Sequence, residues 1–522
     1  MDHIRGQDRE QMMIMSLDQL VHKESFVRII DAFVDALDLE EFGFLYYKLN
    51  KAGRPPFHPS TMLKLYIYGY QNGIRSCRKL EKATMINIEV MWLLKGLRPN
   101  FKTIAKFRKD NAKAFREVFR SFVSILKDWN LVDGKHIAID SFKIRAQNSL
   151  KNNHNQRKID RHLEYIDNKI NEYFELLDDE KDPAERDLIN QKIEYNAVKA
   201  DQYLILSKRL EEENVDQIST VDPDAKAVLL HRNIVNVGYN VQAVSDGKNK
   251  MLVGMDTGNV NDTHALAPMI RIAQTNMGVK SMSVLADKGY HTGAQLADCE
   301  SLGVKTFVSP KANAANRQYN VFPMEQFDYD LETDTYRCPN NSVLRSNGQT
   351  YQRKGPNRKG TWVPFKHYKT KDCMECSIKD QCTGSYRGRI IQRSLHQGAI
   401  DRNNARVNHD PDYYRNRQQI IEHQFGTLKR QWGFTHVLVR GKENVLGEVS
   451  IIFTAYNLRR CMSILGFEGL LKRVRALFHA FWGKLILRDR VGLYIFKFNI
   501  ANRLLYDACE RQLENINYTM SL

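Results

Sequence analysis

No stretch of these 522 residues holds an apolar run long enough to span a membrane. The aromatic-rich stretch from Leu470 to Ile500 is broken by Lys472, Arg473, Arg475, Lys484, Arg488, Asp489 and Arg490, and reads as amphipathic helices. A secretory leader is missing as well: Met12, Met13 and Met15 form no apolar core, and acids flank them. Cysteine is scarce, eight in the whole chain, which excludes a disulfide-stapled secreted scaffold. Acidic side chains are short in number, 61 against 78 basic, so the formal charge is +17. With 42% hydrophobic and 27% charged residues the chain is globular and not disordered. Its length implies two to four domains, each able to bury a core.

The positive charge is concentrated. Residues 1–50 carry 5 basic and 10 acidic side chains, whereas residues 51–130 carry 17 basic and 5 acidic. A patch of this kind suits a polyanion, because each phosphate contact releases condensed counterions. A solvated basic surface is the plain alternative, and the clustering favours nucleic acid. Within this part, Leu17, Leu20 and Val21, then Ile29, Ile30, Phe33, Val34 and Leu37, have helical spacing. Gly53-Arg54-Pro55-Pro56 breaks the pattern. Pro59-Ser60 starts a helix with Leu63, Leu65, Tyr66 and Tyr70, Ser76 is placed to cap another bearing Leu80, and a further helix follows Pro99. Short helices rich in cations fit a helix-turn-helix module or an ordinary bundle. Lys102, Lys106, Arg108 and Lys109 are the first candidates for DNA contacts.

Around residue 136 the period changes. His136 to Asp140 reads as a short buried strand ending in an aspartate. Residues 155–215 are highly charged, with apolar positions such as Leu163, Ile166 and Ile170, and read as a helical hairpin turning near Asp182-Pro183, most simply a solvated spacer. Val237–Ser245 and Met251–Met255 form a hairpin around Asp246-Gly247-Lys248-Asn249, and a helix runs from Thr263 to about Thr275. Ser281–Ala286 is a strand that stops at Asp287, and Thr306–Ser309 is another. Residues 310–400 read as irregular; helices follow over Tyr413–Gln431 and Leu446–Leu465. The sum is an α/β core with long insertions.

Asp140 and Asp287 both stand where an apolar strand stops, which is where α/β sheets handle ligands. Paired hard carboxylates bind Mg²⁺ or Mn²⁺, and two such ions roughly 3.5–4 Å apart serve phosphodiester chemistry. Strand-end aspartates also serve as helix caps and turn formers. In the helix over Tyr413–Gln431, Ile421, Phe425 and Leu428 make one apolar face. Arg415, Glu422 and Lys429 recur every seven residues on another, drifting about 20° per step. An acid between two cations is either ordinary surface or a metal ligand flanked by phosphate clamps. Cys338 and the run Cys373-x2-Cys376-x5-Cys382 can supply a tetrahedral Zn²⁺ site, with free thiols as the alternative. Cys77, Cys299, Cys461 and Cys509 have no partner at useful spacing and read as core residues.

Read in order, several motifs carry a family resemblance. They are Gly53-Arg54-Pro55-Pro56-Phe57-His58-Pro59, Arg98-Pro99-Asn100-Phe101-Lys102-Thr103-Ile104, Ala138-Ile139-Asp140-Ser141-Phe142-Lys143-Ile144-Arg145-Ala146, Gly238-Tyr239-Asn240-Val241-Gln242, Ala286-Asp287-Lys288-Gly289-Tyr290 and Ile421-Glu422-His423-Gln424-Phe425-Gly426-Thr427-Leu428-Lys429-Arg430. Together they resemble the DDE transposases of bacterial insertion sequences, in the group with an N-terminal helical DNA-binding domain and a cysteine-bearing insertion. The likeness runs to about residue 465. It implies a ribonuclease H-like catalytic core (131–465), an N-terminal all-helical DNA-binding domain (1–130) and a cysteine-bearing zinc insertion (310–400); the charged helical hairpin is an insertion at 150–220, and residues 466–522, beyond the likeness, read as a helical C-terminal tail. It also implies Asp140, Asp287 and Glu422 as the catalytic triad holding two Mg²⁺ or Mn²⁺ ions, and Cys338, Cys373, Cys376 and Cys382 as zinc ligands. The related signature Tyr-x2-Arg-x3-Glu-x6-Lys fits Glu422 and Lys429, while Tyr414-x2-Arg417 stands one residue too far from Glu422. Arg415, Arg417 and Lys429 are then candidate DNA contacts. The implied partners are double-stranded DNA at terminal inverted repeats and at the target, and a second copy of the chain, in the bacterial cytoplasm at the nucleoid and away from membrane. Two other readings compete: a non-catalytic, decayed or domesticated DNA-binding protein, against which the intact triad argues, and a structure-selective nuclease.

Overall fold

The N-terminal sequence builds helices because its apolar residues recur every three to four positions and polar side chains close the ends. In the computed structural model, which describes residues 10–479 except 13, 50–52, 54, 232–233, 259, 311–320 and 355–361, these are α1 (Leu17–Leu20), α2 (Phe26–Asp35), α3 (Pro59–Gln71), α4 (Cys77–Ile86), α5 (Ile88–Leu93), α6 (Phe101–Asp110) and α7 (Ala112–Asp128). Ser16, Ser25, Asn87 and Asn100 cap their helices by accepting backbone N–H groups. His58 caps α3, while Ser76 at the head of α4 makes no such bond. Contacts divide the chain into one unit of 1–118 with 454–522 and a second of 119–453. In the first, Ile29, Ile30, Phe33, Leu65, Tyr66 and Ile104 are fully buried. Lys64, buried with them, reaches Asp31 and Asp35, each at 2.7 Å, so its charge is paired as burial requires.

In the second unit the central strand is β1 (His136–Arg145), longer than its apolar start implies. Asp140 therefore lies within the strand and not at its end, because pairing with the next long strand continues past it. The two-residue strands β2 (Asn153–His154) and β3 (Ile218–Ser219) pair at the base of two long helices, α8 (Gln156–Asp179) and α9 (Pro183–Glu212). Asp182 caps α9 just before its first-turn proline. Then come β4 (Lys226–His231), β5 (Ile234–Asp246), β6 (Leu252–Asp256), α10 (Leu266–Met277), β7 (Ser283–Ala286), α11 (Gly293–Ser301) and β8 (Lys305–Val308). The sheet order is β4-β5-β1-β7-β8, with β6 also on β5. β1 runs antiparallel to β5 and parallel to β7, and β8 is parallel to β7. Ile137, Ala138, Ile139, Val284, Leu285 and Ala286 are fully buried, since helices cover both faces.

Residues 310–400, read above as irregular, contain a second antiparallel sheet: β9 (Asp328–Asp330), β10 (Thr335–Arg337), β11 (Val343–Ser346), β12 (Tyr351–Lys354), β13 (Trp362–Lys369) and, beyond α12 (Lys379–Cys382), β14 (Ile391–Ser394). Its strands are three to eight residues long and mostly polar on one face, so no long apolar run announces them. Phe327, Tyr336, Leu344, Tyr368 and Ile391 form its core. The chain then enters α13 (Gln397–His409) and α14 (Pro411–Gly426), which passes into a π-helical turn, Thr427–Gln431. Residues 442–479 are helical, and residues 480–522, most of the expected tail, lie outside the described residues. No helix among the described residues is long and apolar enough to cross a membrane.

Candidate active site

The site is assembled by the register of the central sheet. Ile139 on β1 pairs with Ala286 on β7, so the next residues of the two parallel strands, Asp140 and Asp287, emerge side by side. Asp287 turns out of its strand as the cap of a short 3-10 turn and accepts the Lys288 N–H at 2.6 Å. Asp140 accepts the Ser141 N–H at 2.7 Å with one oxygen and Nη1 of Arg417 at 2.9 Å with the other. Glu422 comes from α14, and its carboxylate meets Nη2 of the same guanidinium at 3.4 Å. Arg417 is only 11% exposed, and the charge of Asp287 acts on it too. Two carboxylates distant in sequence, Asp140 and Glu422, thus meet on one buried cation, with Asp287 emerging beside Asp140. Burial pushes the Asp140 carboxyl up to about 6, against the Ser141 hydrogen bond and Arg417, with Asp287 adding to the rise.

The cations flanking Glu422 divide differently from the seven-residue stripe. Arg415 pairs with Asp412 at 2.7 Å on an exposed surface and does not reach the carboxylates. Arg417, offset by one residue from the family spacing, is the cation that does. The change from α to π helix at Thr427 falls between Glu422 and Lys429 and interrupts the regular seven-residue repeat there, while Arg415 lies upstream within the α helix. Lys429 lies over the Phe142 ring at 5.9 Å, and burial, helped by the charge of Lys143, holds its amine below the usual range. In the first unit, Lys102, Lys106 and Lys109 are exposed along α6. Arg108 is not: it is 5% exposed and donates to the Tyr70 hydroxyl at 3.0 Å, so it is a core residue and drops out of the DNA-contacting set.

A polar network behind the two aspartates has no counterpart in the sequence reading. The buried Tyr290 hydroxyl donates to Gln242, whose amide donates to Asp262 at 2.7 Å, and Asn240 donates to the same Asp262 oxygen at 2.9 Å. A Cβ on Gly289 would meet Asp262 at 3.2 Å, so glycine lets the turn after Asp287 close onto it. The available signal was Asn240 and Gln242, two buried amides alternating within an apolar strand.

Cys338, Cys373, Cys376 and Cys382 line one small cavity beside the second sheet, with Phe327 and Leu344. Among the described residues, however, no group of three or more His, Cys, Asp or Glu side chains is drawn together tightly enough to hold a metal ion. At both places the donors fit in kind: hard carboxylate oxygens from Asp140, Asp287 and Glu422, and four thiols around one space.

Comparison with known protein families gives two matches. Residues 15–110 match the family described as Transposase domain (DUF772), and residues 236–458 match the Transposase DDE domain. Asp287 and Glu422 fall inside the second match, and Asp140 lies between the two. No curated protein matches the chain. The mixed α/β unit together with its DDE domain fits a ribonuclease H-like core.

Proposed function

We propose, from the premise that this chain belongs to the DDE transposases of insertion-sequence type, that it cleaves DNA at the ends of its element and joins the freed 3′-hydroxyl to target DNA at Asp140, Asp287 and Glu422. The observation that carries this reading is the bridging of Asp140 on β1 and Glu422 on α14 by the single guanidinium of Arg417, with Asp287 at the end of β7 emerging beside Asp140. The family uses divalent metal ions. Here Asp140, Asp287 and Glu422 would hold two Mg²⁺ or Mn²⁺ ions, which when bound supply the positive charge that phosphodiester attack requires. Arg417 keeps the carboxylates together against their mutual repulsion. Lys429 and Lys143 hold a backbone phosphate of the cleaved strand beside them, and Lys102, Lys106 and Lys109 contact phosphates from the N-terminal domain, taken as residues 1–130 ahead of a catalytic domain 131–465. The cysteine cavity carries one structural zinc, and the active complex is a homodimer on two element ends. A non-catalytic DNA-binding role is not favoured, because the triad is complete.

Replacing Asp140, Asp287 or Glu422 singly with alanine should abolish cleavage of element-end DNA while leaving gel-shift affinity for that DNA intact. Near-wild-type cleavage by any one variant removes that residue from the site.

A further inference from the structure

α9 has two apolar faces. Tyr203, Leu206 and Leu210 turn inward and pack with Ile159 and Leu163 of α8. On the opposite side lie Leu188, Tyr195, Val198 and Ile205, exposed by 55%, 65%, 53% and 59%. Their spacing of seven, three and seven residues places them at the a and d positions of one heptad register, with Gln191 and Gln202 at the two remaining seam positions. A helix that merely covers its hairpin partner is polar on its far side. A second apolar stripe over three heptads marks a surface meant to be covered.

The charges beside the stripe identify what covers it. Asp187, Glu194 and Asp201 repeat every seven residues along one flank, and Lys192 and Lys199 along the other, all exposed. Among the described residues none of these five sits in an ion pair; Lys192 lies over the Tyr173 ring and Lys199 over the Tyr195 ring. This pattern complements itself. When two copies of α9 run parallel and in register, Asp187 meets Lys192 and Glu194 meets Lys199 across the seam, twice over by symmetry. An antiparallel pair would set acids against acids and lysines against lysines. Nucleic acid is disfavoured here, since residues 156–212 carry 15 acidic and 10 basic side chains in a chain of net charge +17.

We infer that a second copy of this chain docks on this face, α9 against α9, parallel and in register, through Leu188, Tyr195, Val198 and Ile205. The inference rests on the homodimer reading above and gives it a surface. The test uses the full-length protein without DNA, followed by sedimentation velocity. Wild type should sediment as a dimer. Lys192→Glu with Lys199→Glu makes both flanks acidic and should weaken the dimer by about tenfold or more. Adding Asp187→Lys and Glu194→Lys should restore it, with helical content unchanged throughout. In parallel, Val198→Cys under mild oxidation should give a disulfide joining residue 198 of both copies, read by peptide mass spectrometry. A wild-type dimer that ignores the charge changes and yields no 198-to-198 link overturns this surface and leaves the homodimer standing. A wild type that stays monomeric at high concentration, with and without element-end DNA, overturns the homodimer itself.

Discussion

At Asp140, burial and a cation pull in opposite directions, and burial wins. Its carboxyl ionises at about 6 in the folded chain, against 3.8 for an ordinary aspartate. The unfolded chain therefore loses this proton first as pH rises, and between about 4 and 6 the folded state holds more protons than the unfolded one. Stability of the metal-free protein should fall across that window and level off above it, by at most about 3 kcal/mol from this group at about 1.36 kcal/mol per unit. Asp140→Asn cannot lose a proton, so its unfolding midpoint should lack that part of the slope. Equal slopes for the variant and wild type between pH 4 and 7 would mean that Asp140 is not the group held protonated. Such an acid stores a demand for positive charge, which Arg417 meets only in part and which a divalent ion would complete.

On the scale of one element, α6 shows how a helix sorts four cations that look alike in sequence. Lys102, Lys106 and Lys109 lie on its exposed side, whereas Arg108 follows Ile104 and Phe107 into the core and donates to Tyr70. Lys106 additionally donates to the Tyr46 hydroxyl at 2.8 Å. Arg108→Ala should destabilise the chain by about 2–4 kcal/mol, the range for breaking a buried hydrogen-bonded charge, in denaturant unfolding. Alanine at Lys102 or Lys109 should leave stability within about 0.5 kcal/mol. Each should instead lower the slope of log affinity against log salt by about one on element-end DNA. If Arg108→Ala changes only the salt slope, it belongs with the lysines after all. The end of α14 makes a related point: a π turn lies between Glu422 and Lys429, so a spacing rule that assumes a uniform helix does not hold across it.

Over the whole molecule, the chain supports its insertion sheet by a small aromatic core and four cysteines around one cavity. Among the described residues its core cluster of five buried side chains is small for six short strands, and a metal there would add what apolar burial lacks. Protein purified without chelator should contain about one zinc per chain, and chelation should open residues 320–395 to protease while leaving the central sheet protected. Zinc near zero, with all four thiols freely titratable, would make these cysteines ordinary packing residues.

Much of this was legible in the residues alone. Alternating and 3.6-period apolar patterns located the central strands and most helices, because those elements bury one face or two in long runs. The motifs around Asp140, Asp287 and Glu422 marked these carboxylates without reference to their surroundings, since a run of neighbouring residues is a local feature. Tertiary structure decided what depends on partners far along the chain. It placed Asp140 within β1, because β5 pairs beyond the apolar run, and it made Arg417 and not Arg415 the cation of the site. Arg108 went into the core on the strength of Tyr70, 38 residues away. The same dependence joined Asp262, Asn240, Gln242 and Tyr290 and turned a segment that reads as irregular into a sheet, for a hydrogen bond or a strand pair needs both of its halves, and a sequence read from one end shows only one at a time.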